Sequence, residues 1–321
     1  MVTPLTVIQF VGGLAAVIYF AEKLVDGTVG TARGFGLSAF LVSVVFVGFD
    51  PENLFVGTSG TYEGVAGIAL GAIVGAAMVA IALAFGITAL LAPMEFEEAP
   101  TRILVVQVLA VLLFGGVALD GRLSRLDGGV LLLGYVVAVG YLLWLGERGV
   151  DVLPGEEPES EPDGDPQRRW KAVGLFAVSL VAIVAGSELL VASSETIIET
   201  LGVTDTFFGL IVLAALVSIE ELARELPAAL RGRPEITFGN VVGSVMAFFL
   251  FNAGVIALVD PVPVPSQVLG FYLPIAIVTV LLVSGFMLRK RVRRRAGGVL
   301  VLLYLVFAVG GYAIASGFVP R

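Results

Sequence analysis

Long apolar runs, broken at intervals by short charged turns, organise this chain. A run of about 18 or more apolar residues is long enough to cross a bilayer. Ten such spans are predicted, at residues 4–32, 37–58, 64–92, 101–119, 126–146, 170–200, 205–230, 235–259, 267–288 and 297–317. The expected fold is therefore an all-α polytopic membrane protein of about ten transmembrane helices. Between the fifth and sixth spans lies Glu147–Arg169, rich in Pro, Gly, Glu and Asp, a composition that cannot bury a core of its own. The expected organisation is a first five-helix half over 1–146, an acidic linker over 147–169 and a second five-helix half over 170–321.

Composition supports this reading. The 321 residues are 58% hydrophobic and 14% charged, against about 45–50% and about 25% in a soluble domain. The first apolar run continues into a full-length span, which fits a retained helix rather than a cleaved leader. There is no cysteine and no histidine, which excludes thiol nucleophiles, disulfides and the usual zinc and near-neutral proton ligands. Any ion chemistry rests on carboxylates, amides, hydroxyls and carbonyls, the oxygen ligands that suit hard cations. No nucleic-acid partner and no bound cofactor are expected, and the oligomeric state stays open.

Basic residues sort by side of the membrane. Loops on the linker's side carry fourteen, among them Arg33, Arg102, Arg148, Arg231, Arg233 and the run Arg289–Arg295, whereas the opposite side carries Arg122, Arg125 and Arg321. Cytoplasmic loops collect such charge, so the linker is expected inside the cell membrane and both termini outside. The Arg289–Arg295 run reads as a topology signal facing anionic membrane lipid.

The two halves resemble each other. At a constant offset of 168, Glu52 pairs with Glu220, Leu54 with Leu222, Gly64 with Gly232, Gly71 with Gly239, Gly75 with Gly243, Met78 with Met246 and Gly86 with Gly254. Upstream an offset of 166 pairs Glu22 with Glu188 and Gly36 with Gly202. Five crossings per half is an odd number, so the second copy enters the membrane inverted. Inverted repeats with polar, broken helices near the midplane describe secondary transporters and place the site where the repeats meet.

Within the apolar background of Gly186–Gly254, polar groups cluster on two segments. Glu220, Glu221, Arg224 and Glu225 share one, and Asn240 and Ser244 the next. A charge at the centre of a membrane helix costs about +2.5 to +3.5 kcal/mol on insertion scales, so ionisable residues there mark ion or substrate paths by default. At about 100° per residue the four span a face roughly 140° wide, expected to point inward.

At these residues the chain resembles the cation/calcium exchanger superfamily, whose repeats carry a run of the form G-T-S-L-P-E on one helix and G-N-V-V-G-S-N on the next. Gly239-Asn240-Val241-Val242-Gly243-Ser244 matches the second run, and Glu188-Leu189-Leu190-Val191 and Ala228-Ala229-Leu230-Arg231-Gly232 also fit. The resemblance implies an antiporter that binds Na⁺ and Ca²⁺ alternately on acidic residues from both repeats. By position it implies Glu221 as the acidic ligand of the second repeat, with Ser218, Asn240 and Ser244 beside it. In the first repeat the best match is Pro51-Glu52, within Gly48-Phe49-Asp50-Pro51-Glu52-Asn53. The chain departs from the pattern at Val217 and Glu220, where the family has Thr and Pro, and at Ala72 and Ala76 in place of Asn and Ser. Internal symmetry pairs Glu52 with Glu220 rather than Glu221, so Glu52 and Asp50 both stand as the first-repeat acid.

Residue chemistry adds detail. Two close carboxylates resist being charged together without a cation, so protons and metal ions should compete for them. Arg224 reads either as a built-in cation in a buried pair with Glu220 or as a residue snorkelling to the cytoplasmic surface. Pro51 reads as a kink that frees a carbonyl for a cation, and Pro227 as the bend of the seventh span. Asn240, between Gly239 and Gly243, serves either as a ligand or as an interhelical hydrogen bond, and Gly71 and Gly75 as packing. Glu22, Lys23, Asp26, Glu188, Glu195 and Glu199 read as helix pairing or the rim of the ion path. An intramembrane serine hydrolase at Gly57-Thr58-Ser59-Gly60 fails for want of a histidine base, and nothing resembles a phosphate-binding loop. The sequence thus points to a transporter and not an enzyme. Its expected activity is sodium/calcium exchange, with Na⁺/H⁺ or Ca²⁺/H⁺ exchange on the same scaffold as the alternative.

Overall fold

The computed structural model describes residues 2–34, 50–96, 99–148 and 166–316. Residues 37–49 of the expected second span, together with Gly36, lie outside the described residues, as do residues 156–165 and Arg321. In chain order the helices are α1 (Pro4–Gly34), α2 (Pro51–Tyr62), α3 (Ala66–Leu91), α4 (Thr101–Ala118), α5 (Arg125–Glu147), α6 (Pro166–Leu201), α7 (Asp205–Val217), α8 (Glu220–Leu230), α9 (Pro234–Val259), α10 (Val268–Leu288) and α11 (Arg294–Ala315). Among the described residues eight helices are long and apolar enough to cross a membrane, and the bent pair α7–α8 makes a ninth. The ends of α5 and α6 reach into the segment expected as linker.

The chain is a multi-pass helical protein built from two inverted repeats, and its boundaries display the symmetry. Helices α3 and α9 start and stop at an offset of 168, and so do a π-helical turn in each, Val79–Ala84 and Ala247–Asn252. Helices α2 and α8 end alike, with Gly64 and Gly232 at φ +79° and +70°, left-handed positions that glycine fills without strain. Four two-residue strands repeat the pattern: β1 (Met94–Glu95), β2 (Arg122–Leu123), β3 (Val262–Pro263) and β4 (Arg291–Val292). Strand β1 pairs with β4 and β2 with β3, both antiparallel. A two-fold operation that exchanges β1 with β3 and β2 with β4 carries one pairing into the other.

The same operation relates two close helix crossings. A Cβ added at Gly297 would lie 2.6 Å from the Gly86 carbonyl, and one at Gly128 2.7 Å from that of Gly254. In membranes, where apolar side chains gain little by meeting each other, small residues that let backbones approach hold helices together. Gly71 and Gly75 behave as expected, since a Cβ at Gly75 would sit 2.5 Å from the Leu210 carbonyl of α7. Helices α3 and α9 form the enclosed centre, whereas α1, α4, α5, α6 and α11 turn residues such as Ile8, Leu109, Val136, Val181 and Val309 outward. That apolar exterior is the face a bilayer solvates.

Two expectations about proline are corrected. The 47° bend of the seventh span falls between α7 and α8 at Ser218–Ile219, while Pro227 lies inside the continuous helix α8. Pro51 does not kink a continuous helix; it opens α2 as the first residue after the cap Asp50. At that position its missing N–H has no intrahelical partner to lose. Helices α2 and α8 therefore start at nearly equivalent points of the two repeats, after Asp50 and after Ser218–Ile219.

Candidate functional site

Each helix start leaves backbone N–H groups without partners, and that end of the helix is electropositive. That is where carboxylates are tolerated inside an apolar protein. At the start of α2, Asp50 Oδ1 accepts the N–H of Asn53 at 2.9 Å, and its Oδ2 accepts Asn53 Nδ2 at 2.8 Å. The same Asn53 amide donates to Ser218 Oγ at 2.9 Å. Ser218 sits in the break before α8, so this bond ties the start of α2 to the break of the second repeat. Asp50, Asn53 and Ser218 are all buried.

At the start of α8, Glu221 is buried and faces α9. Its Oε2 accepts Asn240 Nδ2 at 2.6 Å and its Oε1 accepts Ser244 Oγ at 3.3 Å. Asn240 also donates to Glu225 Oε1 at 3.1 Å. Glu225 is wholly buried, and its other oxygen has no hydrogen-bond partner. The four charged residues of α8 thus divide. Glu221 and Glu225 point into the protein, whereas Glu220 and Arg224 pair with each other on its flank.

That flank borders a cavity of about 470 Å³ whose lining includes Glu52, Glu220 and Arg224 together with Glu22 and Asp26 of α1. Carboxylate oxygens of Asp50, Glu52 and Glu220 all lie within 4.8 Å of one another. Glu52 is wholly buried, neither of its oxygens accepts a hydrogen bond, and Arg224 Nη2 stops 4.0 Å away.

All seven candidate ligands therefore fall at the two helix starts or on the facing stretch of α9. They form two neighbouring groups: Asp50, Ser218, Glu221, Asn240 and Ser244 in the buried hydrogen-bond network, and Glu52 and Glu220 at the cavity. Glu188, Glu195 and Glu199 stay exposed on α6, away from both, and Lys23 pairs with Asp26 at 3.1 Å. Sequence reasoning missed Asn53. The offset of 168 places it, not Glu52, opposite Glu221, but the Pro51-Glu52 dipeptide drew the match one residue away. Glu225 was visible on the polar face of α8 and Asn240 as a candidate ligand, but not that Asn240 bonds both Glu221 and Glu225.

The arrangement offers carboxylate, amide and hydroxyl oxygens from both repeats, with no nitrogen or sulfur ligand, a set that suits Na⁺ or Ca²⁺ and not a soft metal. The chain matches the family described as sodium/calcium exchanger protein over residues 5–144 and 171–312, once in each half. It is 27% identical over 302 residues to the putative antiporter CaxA of Alkalimonas amylolytica, covering 91% of this chain and 94% of that one. It is 31% identical over 125 residues to a Ca²⁺/H⁺ antiporter of Synechocystis sp., covering 39% of this chain and 33% of that protein. A solved structure of the sodium-calcium exchanger NCX_Mj shares the fold with a TM-score of 0.62 at 24% identity, covering 99% of both chains. The chain belongs to the sodium/calcium exchanger protein family and is a secondary cation antiporter.

Proposed function

We propose that this antiporter exchanges Na⁺ for Ca²⁺ at the buried network where α2, α8 and α9 meet. The observation that carries the reading is the chain of contacts Asp50–Asn53–Ser218 beside Glu221–Asn240–Ser244. Two carboxylates from opposite repeats, Asp50 and Glu221, match the charge of one Ca²⁺ or two Na⁺. When no ion is present, the amides of Asn53 and Asn240 and the hydroxyl of Ser244 donate to those carboxylates. When an ion enters, the same side chains turn their oxygens to it. The site therefore stays neutralised through the cycle, which an unpaired buried carboxylate does not.

Rocking of one repeat against the other about this point would expose the network alternately to the two sides. Residues 1–146 and 170–321 act as the two rocking units and 147–169 as their cytoplasmic tether, with both termini outside. Supporting this orientation, the β1–β4 pairing brings together two of the basic connections, and Arg291 Nε sits 3.3 Å from Glu95.

A second reading, Ca²⁺/H⁺ exchange at the same site, is favoured by one observation. Both buried oxygens of Glu52 and one of Glu225 accept no hydrogen bond, a condition a bound proton relieves as well as a metal ion does. Proteoliposomes separate the two. On the first reading an outward Na⁺ gradient drives Ca²⁺ uptake, and Glu221→Gln abolishes it. Uptake that follows a pH gradient and ignores Na⁺ transfers the function to the second.

A further inference from the structure

One buried amide outside the network has no partner. Asn252 closes the π-helical turn Ala247–Asn252 of α9. It is wholly buried, and neither its oxygen nor its nitrogen makes a hydrogen bond. Its counterpart in the first repeat, at the end of the matching turn of α3, is Ala84. Burying an amide in this way is costly, and native proteins hold few such groups. A paired state elsewhere in the transport cycle accounts for one kept here.

The register of α2 against α9 places the partner. Thr61 Oγ1 donates to the carbonyl of Asp260 at 3.2 Å. One turn toward the N-terminus of both helices, a Cβ added at Gly57 would strike Ile256 Cδ1. Residues four apart share a helix face, so the next turn sets Asn53 against Asn252. The π-helical turn itself touches α2. Asn53 is the amide that gives its two side-chain hydrogens to Asp50 and Ser218.

We propose that Asn252 is the standby acceptor for Asn53, a positioning residue for the cation site. When an ion enters, Asn53 turns its Oδ1 to it, and its Nδ2 leaves Asp50 and Ser218. The displaced N–H donates to Asn252 Oδ1, which the empty site leaves unused. Asp50 and the Ser218 hydroxyl are thereby freed for the ion, and the new bond holds Asn53 in its ligating orientation. Asn252 is paired only while the ion is bound, so it favours loading. This inference rests on the reading that puts the ion at the Asp50–Glu221 network, but not on Na⁺ being the counter-ion.

Calorimetric titration of Ca²⁺ into purified full-length protein in Na⁺-free buffer tests it, together with melting of the ion-free protein. Loss of a group that orients a ligand should weaken Ca²⁺ binding about tenfold or more in Asn252→Leu and in the smaller Asn252→Ala. In an Asn53→Ala background, Asn252→Ala should cost less than about twofold, because the two act as one unit. Ion-free Asn252→Leu should melt at or above the wild-type temperature, since an apolar group replaces an unpaired amide. A purely structural Asn252 would give a lower one, and that result overturns the proposal. So does Ca²⁺ affinity within about threefold of wild type in folded Asn252→Ala, or an equal loss with and without Asn53. Wild-type affinity in Asn252→Ala beside lost binding in Glu221→Gln would leave the site reading intact. Ca²⁺ binding that survives Glu221→Gln would overturn the site reading and this inference with it.

Discussion

The starts of α2 and α8 occupy equivalent places in the two repeats and carry different chemistry. At the common offset Asp50 stands opposite Ser218, Glu52 opposite Glu220, Asn53 opposite Glu221 and Gly57 opposite Glu225. The facing helices differ in the same sense, with Ala72 and Ala76 in α3 where α9 has Asn240 and Ser244. The first repeat supplies Asp50 and the Asn53 amide to the network and Glu52 to the cavity, and around Gly57 it is closely packed: a Cβ there would meet Ala72 at 2.8 Å. The second repeat supplies two buried glutamates and the donors that hold them. The two helix starts recur at the repeat offset, while the ligands have been redistributed around them. A symmetric scaffold with an asymmetric site follows.

The sharpest way to break this contrast is on the polar side. Asn240 is shared by Glu221 and Glu225, so Asn240→Ala leaves two buried carboxylates short of a donor. Loss of a group that orients ligands typically lowers metal affinity about 10–100-fold, and Ca²⁺ binding to the purified variant should fall within that range. A fall of less than about threefold would mean that Asn240 only packs helices.

On the closely packed side the expected effect is on stability alone. Gly75→Leu forces a side chain against the Leu210 carbonyl and Ala214 of α7, and overpacking of this kind costs about 1–3 kcal/mol. The melting temperature should drop, while Ca²⁺ affinity in the folded fraction stays within about twofold. An unchanged melting temperature would show that α3 and α7 are not in the close contact described.

Much of this was legible in the linear pattern. The apolar runs placed α3, α4, α9 and α10 to within about two residues, because spanning length and a shortage of charge are properties of composition along the chain. The inverted repeat was legible because small residues at helix crossings, such as Gly86 and Gly254, recur at a fixed spacing. The exact point at which a helix breaks was not. Pro227 looked like the bend of the seventh span, but the chain breaks at Ser218, where the gain lies in giving Glu220 and Glu221 a helix start. Asn53 was hidden for a related reason. A side chain's direction is set by where its helix begins, and only the structure shows that Asp50 caps α2 and that Glu52 therefore turns to the cavity.

The central claim is that Asp50 and Glu221, from oppositely inserted halves, serve one exchange site. Equilibrium competition tests it most directly, with radioactive Ca²⁺ bound to purified protein and displaced by Na⁺, in wild type, Asp50→Asn and Glu221→Gln. The account predicts that Na⁺ displaces Ca²⁺ competitively in the wild type and that each substitution weakens Ca²⁺ and Na⁺ binding together. Ca²⁺ binding that ignores Na⁺, or that survives unchanged in either variant, would contradict it.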